Sequence, residues 1–134
     1  YDGVLIKDNH LAARGDSACA SAVADARRYM VSSGRNTSIE IEVDTLDQLR
    51  EALGAGADLV LLDNMEPSVL REAVAIAQEH TARTGKKVLL EASGGLTLAN
   101  AGAVGATGVD FISVGGLTHS SPILDIGLDY LRTL

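Results

Sequence analysis

The sequence predicts an α/β fold with a parallel sheet of the (β/α) barrel type, a partial barrel of about five βα units. Five short apolar runs, rich in β-branched residues and leucine, alternate with longer segments rich in Ala, Leu, Glu, Gln and Arg. The chain has 134 residues, of which 46% are hydrophobic, enough for one domain with a core. Because a closed eight-stranded barrel takes about 250 residues, five units make just over half of one.

The apolar runs predict strands at residues 4–7, 39–43, 59–63, 88–93 and 111–115. Helices are predicted at 16–32, 45–53, 68–83 and 97–104, with a final amphipathic segment at 124–131. Thr45 and Gln48 have the spacing of a capping box, and Pro67 suits the first turn of a helix. Three glycines are placed where helices are expected to end: Gly54, Gly56 and Gly108.

Composition excludes several classes of partner. The net charge is -7 and only 3% of residues are aromatic, so neither nucleic acid nor an acidic membrane surface is expected to bind. None of the apolar runs approaches the roughly 18 residues of a membrane span. The single cysteine, Cys19, predicts a packed helix residue and a reducing, cytoplasmic compartment. Because the chain opens with Tyr1 rather than Met, we expect a segment of a longer protein.

Polar residues or glycines end all five predicted strands, at the edge where parallel α/β folds place their active sites. Period-2 alternation puts Glu40 and Glu42 on the face opposite the aliphatic residues of their strand, and Lys7 on the same face of the first strand. Since a buried carboxylate needs a cation or a metal, we predict a buried Lys/Glu cluster. The pattern leaves open whether Lys7 pairs with Glu40 or Glu42.

Two of these strand-end acids, Glu42 and Asp63, are candidate ligands for Mg²⁺, through oxygen atoms and water that bridge to substrate phosphates. The alternative for Asp63 is that it only caps the following helix. His80 falls in a polar helix and is expected to be solvated.

Glycine-rich turns follow the fourth and fifth strands, at residues 93–95 and 115–120. Glycines permit close approach of backbone N–H groups to an anion, and the late strand-to-helix loops of barrels are a common phosphate site. The alternative is that these are ordinary turn residues.

Five segments together resemble quinolinate phosphoribosyltransferase, the carboxylating nicotinate-nucleotide diphosphorylase family. They occur in the family's order and cover nearly the whole chain: residues 1–10, 40–44, 61–65, 90–96 and 113–120, followed by 124–129. The resemblance implies transfer of the phosphoribosyl group of phosphoribosyl pyrophosphate to the quinolinate nitrogen. Decarboxylation then gives nicotinate mononucleotide, pyrophosphate and CO₂, in NAD biosynthesis and with Mg²⁺ as the cofactor.

The resemblance also implies roles for single residues. Lys7 resembles the lysine that contacts quinolinate and the reacting centre, while Glu42 and Asp63 resemble the acids that engage the ribose hydroxyls and the metal. Four further residues resemble the groups around the phosphate of the phosphoribosyl moiety: Ser93, Gly94, Gly115 and His119.

The family also has an N-terminal α/β domain and earlier barrel strands, whose basic residues bind quinolinate and which this sequence does not contain. We therefore interpret residues 1–134 as the C-terminal part of a phosphoribosyltransferase barrel, inactive alone and homodimeric in the full protein. Two alternatives stay open at this point: a paralogous phosphoribosyltransferase with another acceptor, and a non-catalytic phosphate-binding barrel.

Overall fold

The computed structural model describes residues 3–12, 14, 18–118 and 127 of the protein. Among them, five strands form one sheet in sequential order, and all neighbouring strands are parallel. The strands are β1 (Gly3–Ile6), β2 (Ser38–Val43), β3 (Leu59–Asp63), β4 (Leu89–Ser93) and β5 (Phe111–Ile112). The helices are α1 (Asp8–Ala12), α2 (Ala18–Ser32), α3 (Leu46–Ala55), α4 (Pro67–Thr84) and α5 (Ala101–Gly105). The predicted α/β class and parallel sheet are confirmed.

Most bounds differ from the predicted ones by one or two residues, and the larger differences are at β5, α5 and α1. Strand β5 has two residues rather than five, because the chain enters a 3₁₀ turn at Gly115–Leu117. Helix α5 starts later than predicted, because Thr97 and Asn100 first close a turn through reciprocal side-chain hydrogen bonds. Helix α1 was not predicted. The predicted segment at 124–131 lies, apart from residue 127, outside the described residues.

Helix ends follow the local signals with three exceptions. Gly108 was wrongly predicted to end a helix, because α5 ends at Gly105 and its C-cap is Ala106. The Thr45–Gln48 capping box is present at the start of α3, and Gly56 ends that helix with a left-handed φ of 87°. Pro67 is the first residue of α4, as predicted. Gly54 was wrongly predicted to end a helix, because α3 continues past it. Asp63 does not cap α4, whose N-cap residue is Glu66.

The core lies between the helices and one face of the sheet. Ile39, Ile41 and Val43 alternate along β2 toward the helices and are completely buried, as are Val60 and Leu62 on β3. Buried residues of α3 and α4 join the same cluster: Leu49, Ala52, Leu53, Leu70 and Ala73. Each large side chain buried here contributes about 1.5–3 kcal/mol relative to exposure.

The opposite face of the sheet is open to solvent at both edges. Leu5 on β1 and Phe111 on β5 point to this face and are 46% and 48% exposed. Between them the strands present Glu40, Glu42 and Glu91 on the same face. The alternation predicted for β2 is therefore confirmed, and the acidic face is the one without the helices.

Two helix residues with reactive side chains, a histidine and a cysteine, are buried. His80 is 9% exposed on the face of α4 that carries Ala73 and Ala77, so the expectation of a solvated histidine was wrong. Cys19 of α2 is a free cysteine with 1% exposure. Burial, with a smaller contribution from the charge of Glu51, raises the pKa of its thiol to about 11. None of the described helices is long and apolar enough to cross a membrane.

Candidate active site

The first contact of the site joins Lys7 to Glu42 at the carboxyl ends of β1 and β2. The Lys7 Nζ donates a hydrogen bond to Glu42 Oε2 at 2.6 Å. The Glu42 side chain is 9% exposed and that of Lys7 is 50% exposed, so a sequestered carboxylate faces an accessible ammonium group. The hydrogen bond to Glu42 raises the pKa of Lys7, and the negative charges of Glu42, Asp8 and Asp63 act in the same direction against burial. The predicted Lys/Glu pairing is present, with Glu42 as the partner of Lys7, but the prediction of burial was right for Glu42 only, because Lys7 is half exposed.

Asp63 ends β3 on the same side, together with acids at the ends of the neighbouring strands. Partial burial raises the pKa of Asp63, and the negative charge of Asp44 adds to that effect, while the charge of Lys7 opposes it. The pKa of Asp44 is also raised, first by partial burial and then by the charges of Asp8 and Glu42. Each of these carboxylates is therefore disfavoured in its charged form by the negative charge of its neighbours.

Two further acids lie on the open face below the level of Asp63: Glu91 is level with Leu61 and Glu40 with Leu59. Partial burial raises the pKa of Glu40, followed by the charges of Glu91 and Glu42. Ser113 Oγ donates a hydrogen bond to Glu91 Oε1. The acidic face therefore continues inward from the Lys7–Glu42 pair, and Glu91 was not among the predicted site residues.

The loop after β4 meets the end of β3. Asp63 and Ser93 are register partners, so Ser93, Gly94 and Gly95 begin directly beside the Asp63 carboxylate. Gly94 and Gly95 have φ values of +84° and +60°, which L side chains rarely adopt. The loop thus exposes backbone at the edge where a phosphate was predicted to bind.

The turn after β5 lies at the same edge of the sheet. The Ser113 N–H donates to the Ala92 carbonyl at 2.9 Å, which places the end of β5 beside the end of β4. Gly115 begins the 3₁₀ turn one residue beyond Val114. A Cβ at Gly115 would meet nothing within 4 Å among the described residues, so the space above it is open. His119 lies outside the described residues, and its role stays a prediction.

The described site residues thus share one edge, and direct contact joins only Lys7 and Glu42. Within the described ranges, no three His, Cys, Asp or Glu side chains come close enough together to hold a metal ion. Sequence reasoning missed Asn64, which follows Asp63 and packs against Gly94. The local signal for it was weak: an Asn after a strand-end Asp tolerates the left-handed conformation, but its contact is 30 positions away along the sequence.

Fold and site together define a barrel-type α/β domain whose ionised groups and glycine loops converge on the carboxyl ends of parallel strands, the arrangement of an α/β enzyme site. The sequence model described as "Quinolinate phosphoribosyl transferase, C-terminal domain" matches residues 1–129. The chain therefore belongs to the family of quinolinate phosphoribosyl transferase C-terminal domains.

Relatives support the same family. A probable nicotinate-nucleotide pyrophosphorylase (carboxylating) of Bacillus subtilis (strain 168) is 41% identical over 129 residues, which are 96% of this chain and 40% of that protein. The nicotinate-nucleotide pyrophosphorylase (carboxylating) of Mycobacterium leprae (strain TN) is 47% identical over 128 residues, 96% of this chain and 42% of that protein. The chain thus spans about two fifths of the length of these curated relatives.

Solved structures agree with the fold. The nicotinate-nucleotide pyrophosphorylase of Francisella tularensis superposes with a TM-score of 0.73 at 40% identity, covering 88% of this chain and 38% of that one. The nicotinate-nucleotide pyrophosphorylase of Ehrlichia chaffeensis has a TM-score of 0.69 at 37% identity, covering 89% of this chain and 39% of that one. The five-stranded sheet is therefore the fold of this region in these enzymes.

Proposed function

We propose that the full-length protein containing this chain transfers the phosphoribosyl group of phosphoribosyl pyrophosphate to quinolinate and releases CO₂. The products are nicotinate mononucleotide and pyrophosphate, in NAD biosynthesis. The observation that carries the proposal is the Lys7–Glu42 pair at the carboxyl end of the sheet, beside Asp63 and the Ser93 loop. The names of the relatives favour this reaction over a paralogue with another acceptor or a non-catalytic barrel.

The carboxylates match the charge that the reaction develops. As pyrophosphate leaves the ribose, positive charge builds on the ribose carbon, and the quinolinate nitrogen then attacks that carbon. Glu42 and Asp63 would stabilise this charge and hold the ribose hydroxyls. Fixed carboxylates of this kind need no reorganisation during the reaction, so positioning and electrostatics carry most of the rate.

Lys7 supports the acceptor side of the reaction. Its ammonium group is half exposed while one of its hydrogen bonds goes to Glu42, so it can also meet a quinolinate carboxylate. After bond formation the pyridine nitrogen is cationic, and the ring carbon that loses CO₂ keeps the electron pair of the broken bond until it takes one proton from water. The protein therefore supplies little proton transfer at this step.

The two glycine turns would hold the phosphate of the phosphoribosyl moiety. Ser93 and Gly94 at the end of β4, with Gly115 at the end of β5, present backbone and hydroxyl groups on the same edge. His119 is proposed as a further phosphate contact. Backbone N–H groups of glycine turns and a hydroxyl can donate hydrogen bonds to phosphate oxygens.

The residues present fit a magnesium ion that takes few protein ligands. Glu42 and Asp63 offer carboxylate oxygens, and Mg²⁺ is commonly held by one or two carboxylates together with substrate phosphates and water. When bound, the ion would neutralise charge on the departing pyrophosphate. Chelation should abolish CO₂ release and added Mg²⁺ should restore it. Undiminished turnover after exhaustive chelation would contradict the cofactor assignment.

The open face supports a site completed by other parts of the full-length protein. Glu40, Glu42 and Glu91 lie there with Lys7 as the one cation in contact among the described residues, and Leu5 and Phe111 remain half exposed. We propose a homodimer in which a basic group from the neighbouring subunit reaches this acidic face. The free thiol of Cys19 supports a reducing, cytoplasmic location.

The test is quinolinate-dependent CO₂ release by the full-length protein with phosphoribosyl pyrophosphate and Mg²⁺, with nicotinate as the control acceptor. We expect release with quinolinate only. Glu42→Ala and Asp63→Ala should abolish it, whereas Glu79→Ala, an exposed acid on α4, should not. A folded wild-type protein without release would refute the proposed reaction, and wild-type turnover in either site variant would refute its role.

A further inference from the structure

Asn64 joins the ends of β3 and β4 beyond their last paired residues. Its N–H donates to the Ser93 carbonyl at 3.0 Å, which extends the ladder one step past the Asp63–Ser93 pair. Asn64 has a φ of 53° and is the only non-glycine residue with positive φ in the described part of the chain. This backbone turn ends β3 at Asp63 and directs the Asn64 side chain toward the loop of the neighbouring strand.

The Asn64 side chain packs on the two glycines of that loop. A Cβ built on Gly94 would lie 2.8 Å from Asn64 Cγ, Oδ1 and N, closer than real contacts allow. A Cβ on Gly95 would lie 3.5 Å from Asn64 Oδ1. Gly94 is therefore glycine for two reasons, its left-handed φ of +84° and the carboxamide that occupies the place of a side chain.

We propose that Asn64 is a positioning residue that fixes the Ser93–Gly95 loop relative to Asp63. The inference rests on the proposed function: Asp63 engages the ribose and the loop engages the 5-phosphate of the same substrate. Asn64 is bonded to Asp63 through the chain and packs on the loop through its side chain, so it sets the spacing between the two subsites. It acts through these neighbours and transfers no group itself.

The exposure of Asn64 favours a role in positioning the loop over a role in stabilising the fold. Asn64 is exposed and lies outside the buried cluster that holds the sheet to the helices. A looser contact with Gly94 would let the phosphate loop shift while the strands stay paired. Because misplacement by about 1 Å can cost about a hundredfold in rate, such a shift would be measurable in substrate binding and turnover.

The test uses the full-length protein and the substitution Asn64→Gly. Glycine keeps the left-handed backbone without strain and keeps the N–H that bonds to Ser93, so it removes only the carboxamide. We expect the KM for phosphoribosyl pyrophosphate and the Kd for ribose 5-phosphate to rise about tenfold. The Kd for quinolinate should stay within about twofold, because the acceptor does not contact the loop.

Asn64→Ala and Asn36→Gly complete the design. Alanine adds backbone strain at φ 53° and should impair binding of both phosphate-bearing ligands further. Asn36 is exposed before β2 and far along the chain from the loop, so Asn36→Gly matches the chemical change and should leave all constants unchanged. Thermal unfolding of each variant reports on the fold separately from binding.

The outcomes separate this inference from the proposed reaction. Wild-type affinity of the Asn64→Gly variant for ribose 5-phosphate would overturn the positioning role, as would an equal loss of affinity for quinolinate. If the wild-type protein releases no CO₂, the proposed reaction fails, and ribose 5-phosphate binding alone then decides on Asn64. Absence of ribose 5-phosphate binding by a wild-type protein that releases CO₂ would overturn the positioning role of Asn64 and leave the reaction standing.

Discussion

The two ends of the sheet carry the same residue type in opposite electrostatic states. At the amino end, Asp58 precedes β3 and accepts hydrogen bonds from the Ile39 N–H, Arg27 and Lys86. Burial alone would raise the pKa of Asp58, but these bonds outweigh it and the pKa is lowered. At the carboxyl end, the pKa of Asp63 is raised by partial burial and by Asp44. Asp58 at the amino end is thus stabilised in its charged form by partners within the chain, whereas the charged form of Asp63 at the carboxyl end is disfavoured.

The amino-end arrangement occurs twice in the sheet. Asp110 precedes β5, accepts from the Leu90 N–H at 3.0 Å and pairs with Lys87. As at Asp58, burial opposes these bonds but the pKa of Asp110 is lowered. Both aspartates also donate their own N–H, at 2.9 Å, to the same residue that donates to their carboxylate. In this protein the acids that brace strands have cations at hand, whereas at the carboxyl end Glu42 pairs with Lys7 and the charges of Asp63 and Asp44 repel one another.

The largest expected effect is on kcat, and it comes from Asp63→Asn at the carboxyl end of the sheet. The change removes a negative charge from the site of the developing ribose cation, and kcat should fall about 10²–10³-fold. Stability should be unchanged or slightly higher, because the lost charge was repelled by Asp44. The measurements are steady-state kinetics and urea unfolding of the full-length protein. Unchanged kcat together with a clear loss of stability would mean that Asp63 belongs with the bracing acids.

Asp58→Ala should produce the converse result. It removes the acceptor of the Ile39 N–H and the partner of two cations, so we expect a loss of about 2–3 kcal/mol in the free energy of unfolding. KM and kcat at 25 °C should stay near the wild-type values, since the site lies at the other end of the strands. A loss below about 0.5 kcal/mol, the usual range for neutral surface changes, would count against a bracing role.

Lys7 and Glu42 should respond unequally to loss of the partner. Lys7→Met leaves the mostly buried Glu42 carboxylate without its cation and should cost about 1–2 kcal/mol of stability, reduced by the exposure of Lys7. Glu42→Gln leaves only an exposed ammonium group and should cost less. Unfolding curves at neutral pH give the free energy of unfolding of each variant, and Lys7→Met should lose more than Glu42→Gln. Equal costs would show that the pair acts as an ordinary surface salt bridge.

The smallest expected effect is on the pH dependence of stability, which should have opposite signs for Asp58 and Asp63. The lowered pKa of Asp58 gives stability that is present above the unfolded value of about 3.9 and is lost as pH falls through the folded pKa. The raised pKa of Asp63 means that stability falls as pH rises through that pKa. Asp58→Asn should therefore be less stable than wild type at pH 7, and Asp63→Asn slightly more stable, with both differences closing toward acid pH. Differences of the same sign would break the contrast between the two ends.

Much of the fold and part of the site could be predicted because the signals are local. Alternation along β2 predicted which face of the sheet carries Glu42, and the Thr45–Gln48 spacing predicted the start of α3. The prediction that His80 is solvated was wrong because this polar-looking face of α4 lies against α3, and no local sequence pattern reveals that contact. The repeat of glycine, apolar residue, aspartate and apolar residue at 56–59 and 108–111 was readable but was not used.

The remaining features depend on contacts between distant parts of the chain. Asn64 meets Gly94 only because β3 and β4 pair in a particular register. The choice of Glu42 over Glu40 as the partner of Lys7 likewise required the register of β1 on β2. The Mg²⁺ ligands and the phosphate contacts of Ser93, Gly94, Gly115 and His119 stay predictions.

The burial of Cys19 gives this chain a built-in reporter of its own opening. The thiolate is the reactive form, and a thiol with a pKa of about 11 inside the α2 packing is shielded in two ways, by protonation and by exclusion of reagent. Because it is the only cysteine in the sequence, any labelling of this chain by a thiol reagent comes from one position. The labelling rate under native conditions then reports how often Cys19 becomes exposed by local opening of the α2 packing. Global unfolding experiments do not detect such local opening.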